Sequence, residues 1–353
     1  MSFSSLDRFL KQRVNTGDLA GAVCWVGTIR EELFFKAYGS RQVIPSPVPM
    51  HKTTLFDTAS LTKPLVTALA IMELIEERRL DLQDTLSQYL DEFRSTPSAG
   101  ITIMQLLTHT SGLPAWFPLY TVPQEKRLSF LATCSTGEKE VVYSCLGYIL
   151  LGILVEKITG YSLEAYCREH LYGPLGLKDT LFNPAGRDNV AATEFGNEYE
   201  RNMASQVADV SGIAWRNYLI QGEVHDGNAF YGFRGIAGNA GLFSTAHDLT
   251  VLMRAFLAGD IVRPKTVQFM TTDHTGGEDK RGAGWVMDPF PDIVSHRAFY
   301  HTGFTGTMLL CDPIQSLVII FLTNAVHPYV RKDFLAPIRK QVVQFITTEY
   351  TTD

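Results

Sequence analysis

One segment constrains the fold more than any other. After Ser60 the chain runs through Leu61, Leu65, Val66, Ala68, Leu69, Ala70, Ile71, Met72, Leu74 and Ile75. At helical spacing these residues cover nearly the whole circumference of a helix. A helix that is apolar all round offers no face to water and must lie inside a larger core. It does not read as a membrane span. The run meets Glu76, Glu77, Arg78 and Arg79, short of the roughly 18–20 apolar residues a span requires. The rest of the chain is therefore expected to wrap around it.

The start of this helix is marked by its residues. Ser60 is a favoured N-cap type. Pro64 lacks an N–H, so it is tolerated only in the first turn, where that donor would be unpaired anyway. This puts the helix start at or just after Ala59. The residue before a proline resists helical geometry, so a distortion is expected at Lys63.

Elements of other kinds flank it. The first fourteen residues carry Asp7, Arg8, Lys11 and Arg13 among apolar positions and read as a structural helix, not a leader peptide. Residues 22–29 and 32–38 are β-rich runs around a polar turn, a hairpin signal. From about residue 80 to about 230 helical signals dominate. Thr102-x-x-Gln105 reads as a capping box, and Ser111-Gly112-Leu113-Pro114 as the stop of that helix. Residues 146–158 read as a second apolar helix, and Ser162 caps a third that ends at Gly173-Pro174. Residues 183–230 are polar and irregular, the pattern of a long functional loop.

Thr245-x-x-Asp248 opens a helix carrying Leu249, Leu252, Met253 and Phe256. Strands return at 298–301, 305–311 and 317–322. A final helix from residue 330 spaces Phe334, Ile338, Val342, Val343 and Ile346 along one side. The order strands, helices, strands, helix predicts an α+β chain whose sheet is built from both ends, with a mostly helical insert. The expected boundaries are 1–79 plus 235–353 for the sheet subdomain and 80–234 for the insert, with the active site between them. A length of 353 residues accommodates two units of about 100–200 residues each.

Composition removes several classes of function. Lys plus Arg number 31 against 37 for Asp plus Glu, a net charge of −6 without the basic surplus of a nucleic-acid binder. No membrane partner is expected. The five cysteines are odd in number, widely spaced and free of CxxC pairs, as for reduced thiols in a cytoplasmic protein. The nine histidines do not fall at metal-ligand spacings, and no metal or organic cofactor is expected. His225-Asp226 and His247-Asp248 read as local polar contacts or helix caps. Gly235-x-x-Gly238-x-x-Gly241 reads as a tight turn more than a phosphate loop. GxSxG, HExxH and P-loop patterns are absent.

One constellation remains. Ser60-Leu61-Thr62-Lys63 places a hydroxyl and an amine at i and i+3, on the same side of one helical turn. The positive end of the helix dipole and burial both disfavour an ammonium there. The expectation is a neutral amine beside a hydroxyl, a base beside a nucleophile. Free backbone N–H groups of the turn offer a place for a developing oxyanion. Alone, this motif reads equally well as a helix cap with a surface lysine. Tyr143-Ser144-Cys145, just before the helix at 146, and His301-Thr302-Gly303, at a strand end, complete a specific order of three motifs.

That order resembles the serine β-lactamase and penicillin-binding-protein superfamily, in the style of class C β-lactamases, D-aminopeptidases and family VIII carboxylesterases. The resemblance extends to Phe56-Asp57-Thr58-Ala59 ahead of Ser60 and to Leu106-Leu107-Thr108-His109-Thr110-Ser111-Gly112-Leu113-Pro114. It also includes Gly147-Tyr148-Ile149-Leu150-Leu151-Gly152 and Ala240-Gly241-Leu242-Phe243-Ser244-Thr245, and covers roughly residues 20–345. It implies a β-lactamase/transpeptidase-like fold with an antiparallel sheet flanked by the terminal helices.

The resemblance also implies roles. Ser60 would attack an ester or amide carbonyl and become acylated. Lys63 would share the Ser60 proton, and Tyr143 would act with Lys63 as general base before returning the proton to the leaving group. A phenol with a free pKa near 10 needs nearby positive charge to serve as a base. His301, Thr302 and Gly303 would form the third motif. The oxyanion hole would be the backbone N–H groups of Ser60 and Phe304.

Two positions depart from the pattern. Cys145 stands where the family has asparagine, and a thiol is a weak donor and acceptor, which weakens amide recognition. His301 stands where β-lactamases usually have lysine, so a substrate carboxylate meets less positive charge. Both point toward small carboxylic esters, with weak β-lactamase activity at most. A D-amino-acid amidase or DD-peptidase, or a β-lactamase, is the enzymatic alternative. A penicillin-binding or scaffold protein that acylates without turnover is the alternative of another class. Trp116, Phe117 and residues 183–234 are expected to form the pocket walls around a small ester, amide or lactam substrate. Oligomeric state is not encoded in any motif.

Overall fold

The computed structural model describes residues 2–134, 140–331 and 333–351. Its strands are β1 (Gly21–Gly27), β2 (Glu32–Gln42), β3 (Val48–Pro49), β4 (Phe56–Asp57), β5 (Leu181–Phe182), β6 (Leu242–Ser244), β7 (Val286–Met287), β8 (Phe299–Thr302), β9 (Met308–Asp312) and β10 (Leu317–Thr323). Seven of them form one sheet in the order β3-β2-β1-β10-β9-β8-β7, with antiparallel neighbours throughout. The N-terminal hairpin β1–β2 docks on the last strand, with Ala22 opposite Thr323 and Gly27 opposite Val318. The sheet is thus closed by the two ends of the chain, as the α+β reading requires.

Alternation along the strands sends side chains to opposite faces. Ala22, Cys24, Val26, Ile319 and Phe321 pack on one face with Leu6, Phe9 and Leu10 of the helix Ser4–Asn15 and Ile338, Val342, Val343 and Ile346 of the helix Leu335–Thr351. Glu349 accepts the backbone N–H groups of Ser5 and Leu6, tying the two terminal helices together. Val23, Trp25, Val318, Ile320 and Leu322 point to the other face, into a larger core shared with the apolar helix after Ser60. Both faces of β10 are covered, and every residue in it is buried.

The apolar helix lies in that core, and residues 61–72 are all buried. It is regular α-helix only over Leu69–Glu76. A 3-10 turn, Ala59–Leu61, and π-helical turns, Lys63–Ala68, precede it. The missing N–H of Pro64 removes one rung of the ladder, which accounts for the wide turns and confirms a distortion at Lys63. The helix Cys145–Thr159 packs beside it and ends at the left-handed Gly160. A Cβ on Gly152 of this helix would sit 2.9 Å from Gly238, so close passage of the 235–241 turn requires glycine on both sides.

Some expectations change. The strand foreseen at 305–311 begins only at Met308, because residues 303–307 form a turn closed by Gly303 N–H to the Thr307 carbonyl at 2.8 Å. The helix Ile103–Leu107, with its Thr102–Gln105 capping box, ends before His109, whose φ is +60°. Within 183–230 the chain is irregular apart from Glu198–Ala204 and the start of Asn228–Gly232. All five cysteines are free. Among the described residues no single helix is long and apolar enough to cross a membrane.

Candidate active site

A short three-stranded sheet, β4-β6-β5, fixes the approach to Ser60. Phe56 pairs with Ser244 and Asp57 with Phe243. The chain then turns sharply: Ala59 has φ +48°, a conformation that L-residues avoid. The buried Asp57 carboxylate holds this turn by accepting the Ala59 N–H at 2.8 Å and the His225 N–H at 2.7 Å. Its pKa lies above the ordinary range because burial outweighs those two donors.

Ser60 does not act as the expected N-cap. Its hydroxyl accepts no backbone N–H of the helix start; Lys63 Nζ donates to it at 2.9 Å. Lys63 is fully buried and also donates to the Asn239 carbonyl at 3.0 Å. Its ammonium lies 4.9 Å from the Tyr143 ring centre. Tyr143 lies close enough to Lys63 and Ser60, and Cys145 to Lys63 and Asn239, for their polar groups to act on one another. The structure thus brings together Ser60, Lys63, Tyr143 and Cys145 from two helix starts far apart in the chain.

The charge expected on Lys63 is corrected. Burial pulls it toward the neutral amine, but the acidic partners Cys145, Tyr143 and Asp226 pull harder, and its pKa is raised. Burial also raises the pKa of Tyr143 and of Cys145, each opposed by the Lys63 charge. The ammonium is the positive charge a Tyr143 phenolate needs.

His301, at 3% exposure, closes the other side, with its ring 6.0 Å from that of Tyr143. Its Nδ1 lies 2.9 Å from the Thr302 carbonyl and so carries the proton, leaving Nε2 as an acceptor. Burial, then the Lys63 and Arg281 charges, hold its pKa well below the usual value, so the ring is neutral. Gly303 packs where no side chain fits: a Cβ there would meet Thr307 Oγ1 at 2.2 Å and the Thr58 carbonyl at 2.4 Å. The Thr305 and Thr307 hydroxyls donate to the Asp57 and Thr58 carbonyls at 2.7 and 2.9 Å. These two bonds tie the turn that bears Phe304 to the segment that bears Ser60. Among the described residues, neither the Ser60 nor the Phe304 backbone N–H donates a hydrogen bond. Two free donors on segments tied together in this way are what an oxyanion site requires.

Phe304 is 48% exposed and packs on Tyr199 at 5.3 Å and His225 at 5.6 Å. Tyr199 and His225, both within residues 183–234, thus reach the turn that bears Phe304. Phe117 instead packs on Phe130, and its carbonyl accepts Asn228. His225 reaches Glu194 at 3.0 Å, 31 residues away, while Asp226 caps the following helix as expected, its Oδ1 accepting the Ala229 N–H at 2.8 Å. His247 and Asp248 do form the expected local pair, at 3.3 Å.

Sequence reasoning passed over several residues at the site. His109 packs 4.7 Å from the Tyr143 ring, and its Nδ1 accepts the Ser144 N–H at 3.0 Å, holding the Tyr143 loop. Its position inside the Leu106–Pro114 motif was the available signal. Arg281 lies 5.8 Å from the Tyr143 ring, and Asn239 links Lys63 to Asp226. Nothing in the residue pattern marked these two.

A family model described as Beta-lactamase matches residues 6–344. An N-acetylmuramyl-L-alanine amidase of Bacillus subtilis (strain 168) is 34% identical over 328 residues, 83% of this chain and 73% of the relative. A protein of Escherichia coli (strain K12), provisionally named a D-alanyl-D-alanine carboxypeptidase, is 31% identical over 367 residues, 92% of this chain and 82% of its own. In structure the chain is similar to EstCE1, a hydrolase with promiscuous acyltransferase activity. The TM-score is 0.77 at 21% identity, covering 97% of both chains.

Proposed function

The chain belongs to the beta-lactamase family, and from that premise we propose that it is a serine hydrolase that forms an acyl-enzyme on Ser60, with small carboxylic esters as its substrates. One observation carries the reading: Ser60 Oγ lies 2.9 Å from the buried Lys63 Nζ, with the Tyr143 ring centre 4.9 Å from the same nitrogen.

In the reactive form Tyr143 is a phenolate beside the Lys63 ammonium. It takes the Ser60 proton as Oγ attacks the substrate carbonyl. The negative charge that develops on the carbonyl oxygen meets the Ser60 and Phe304 N–H groups. Tyr143 then protonates the leaving alkoxide, and water releases the acyl group by the same route in reverse. Neutral His301 and the thiol of Cys145 offer little to a substrate carboxylate or side-chain amide, which favours simple esters.

A second reading has its own support. The relatives named amidase and carboxypeptidase are more than 30% identical to this chain. Amide or D-peptide substrates would use the same acyl-enzyme, with an amine as leaving group. The test is a parallel assay of p-nitrophenyl butyrate, a chromogenic cephalosporin and a D-alanyl peptide, with Ser60→Ala alongside. Ester turnover lost in Ser60→Ala is the expected result. Peptide cleavage much faster than ester cleavage favours the second reading. A burst without turnover indicates a penicillin-binding protein that stalls after acylation. Turnover that survives in Ser60→Ala removes the proposed nucleophile.

A further inference from the structure

The helix Leu335–Thr351 lies against the sheet face turned away from the larger core, yet one of its side chains reaches the turn beside Ser60. Arg339 Nη2 donates to the Gly303 carbonyl at 2.7 Å and to the Thr307 carbonyl at 2.9 Å. The two carbonyls are those that open and close the 303–307 turn. The Gly303 carbonyl also accepts the Gly306 N–H at 3.1 Å. Arg339 Nε has no partner among the described residues, so the head group is committed to these main-chain acceptors. Burial lowers the Arg339 pKa to about 10, which leaves it charged at neutral pH.

The bond to Gly303 has a particular consequence. Gly303 C=O and Phe304 N–H belong to one peptide unit. A cation on the oxygen of a peptide draws electron density from its nitrogen and makes the N–H a stronger donor. It also fixes the plane of that peptide and hence the direction of the N–H. We propose that Arg339 is a positioning residue for the oxyanion site, acting through the Gly303–Phe304 peptide without touching the substrate. This rests on the acyl-enzyme reading above. It assigns the C-terminal helix a part in the chemistry beyond covering the sheet.

The inference separates from a packing role by its spectroscopic signature. In the full-length protein, a weaker Phe304 donor leaves the acyl-enzyme carbonyl less polarised. The stretch of an isotope-labelled carbonyl in the trapped acyl-enzyme is expected to rise in frequency in Arg339→Gln. kcat is expected to fall about tenfold with KM changed less than about twofold, since the donor is weakened and not removed. Arg339→Lys, which keeps a charge near Gly303, is expected to lie between the two in both readouts. It also serves should Arg339→Gln fail to fold. An Arg339→Gln or Arg339→Lys protein that folds and keeps the native carbonyl frequency and kcat overturns the inference. A native protein that never acylates overturns the acyl-enzyme reading and this inference with it.

Discussion

The two walls of the site are built from different material. On one wall the Lys63 amine donates to the Ser60 hydroxyl, with the Tyr143 ring and the Cys145 thiol around the amine. On the other the proposed oxyanion donors are the N–H groups of Ser60 and Phe304. Side chains there serve the main chain: Thr305 and Thr307 from below, Arg339 from the far helix. In the proposed mechanism the first wall moves protons, so it needs titratable groups whose burial and mutual charges set their pKa values. The second wall must hold still while charge develops against it, so it needs rigid donors. Chemistry on one side depends on residue identity, and on the other on backbone placement.

Substitutions in the two walls are therefore expected to fail differently. Tyr143→Phe removes the base and leaves packing intact. kcat is expected to fall by about 10²–10⁴ with an unchanged denaturation midpoint; an active Tyr143→Phe would leave the proton to another group. Gly303→Ala keeps every titratable group but drives a Cβ into Thr307 and the Thr58 carbonyl. Steady-state assays are expected to show a loss of about 10²–10³, as when an oxyanion donor is withdrawn. Unlike Tyr143→Phe, it is also expected to unfold at lower denaturant.

Thr305→Val cuts one tie between the walls. The stranded Asp57 carbonyl is expected to cost about 1–3 kcal/mol in chemical denaturation, with a smaller, roughly tenfold loss of kcat. Acid is expected to act on both sides of the site. His109 and His301 are buried and neutral, with folded-state pKa values held well below 6.5. The unfolded chain binds more protons than the folded one below that value. The contribution of these histidines is therefore full above pH 6.5 and is lost as pH falls, by about 1.4 kcal/mol per unit for each, while buried Glu200, its pKa raised to about 8, contributes in the opposite sense over the same range. Denaturation midpoints at pH 7.5, 6.5 and 5.5 check the sign. A dependence on pH between 7.5 and 5.5 that is the same in His301→Gln as in the native protein contradicts the neutral assignment of His301.

Cys145→Asn makes the smallest change. It places an amide beside Lys63 and Asn239 and is expected to raise the ratio of amide to ester turnover by about two- to tenfold, the worth of one hydrogen bond. No change in that ratio would show that the position does not read the substrate.

The same contrast explains what could be read from the residues alone. The apolar circumference of residues 61–75 announced a buried helix, and Ser60, Lys63, Tyr143 and His301 stood in motifs. Side-chain chemistry leaves such marks. The lysine charge did not, because it depends on Cys145, Tyr143 and Asp226, which only the fold brings together. Ser60 has the composition of an N-cap, but the left-handed Ala59 before it and the ammonium of Lys63 redirect its hydroxyl. Arg339 left no mark. Its contact with Gly303 follows from how the C-terminal helix lies on the sheet, and backbone acceptors are the same for every sequence.

The covalent intermediate itself is the most direct test. A slowly released ester is mixed with the protein, the reaction is quenched in acid, and the digest is weighed by mass spectrometry. The account predicts one acyl group, carried by the peptide that contains Ser60 and absent in Ser60→Ala. An acyl group on any other residue, or turnover with no adduct under conditions that slow deacylation, would contradict it.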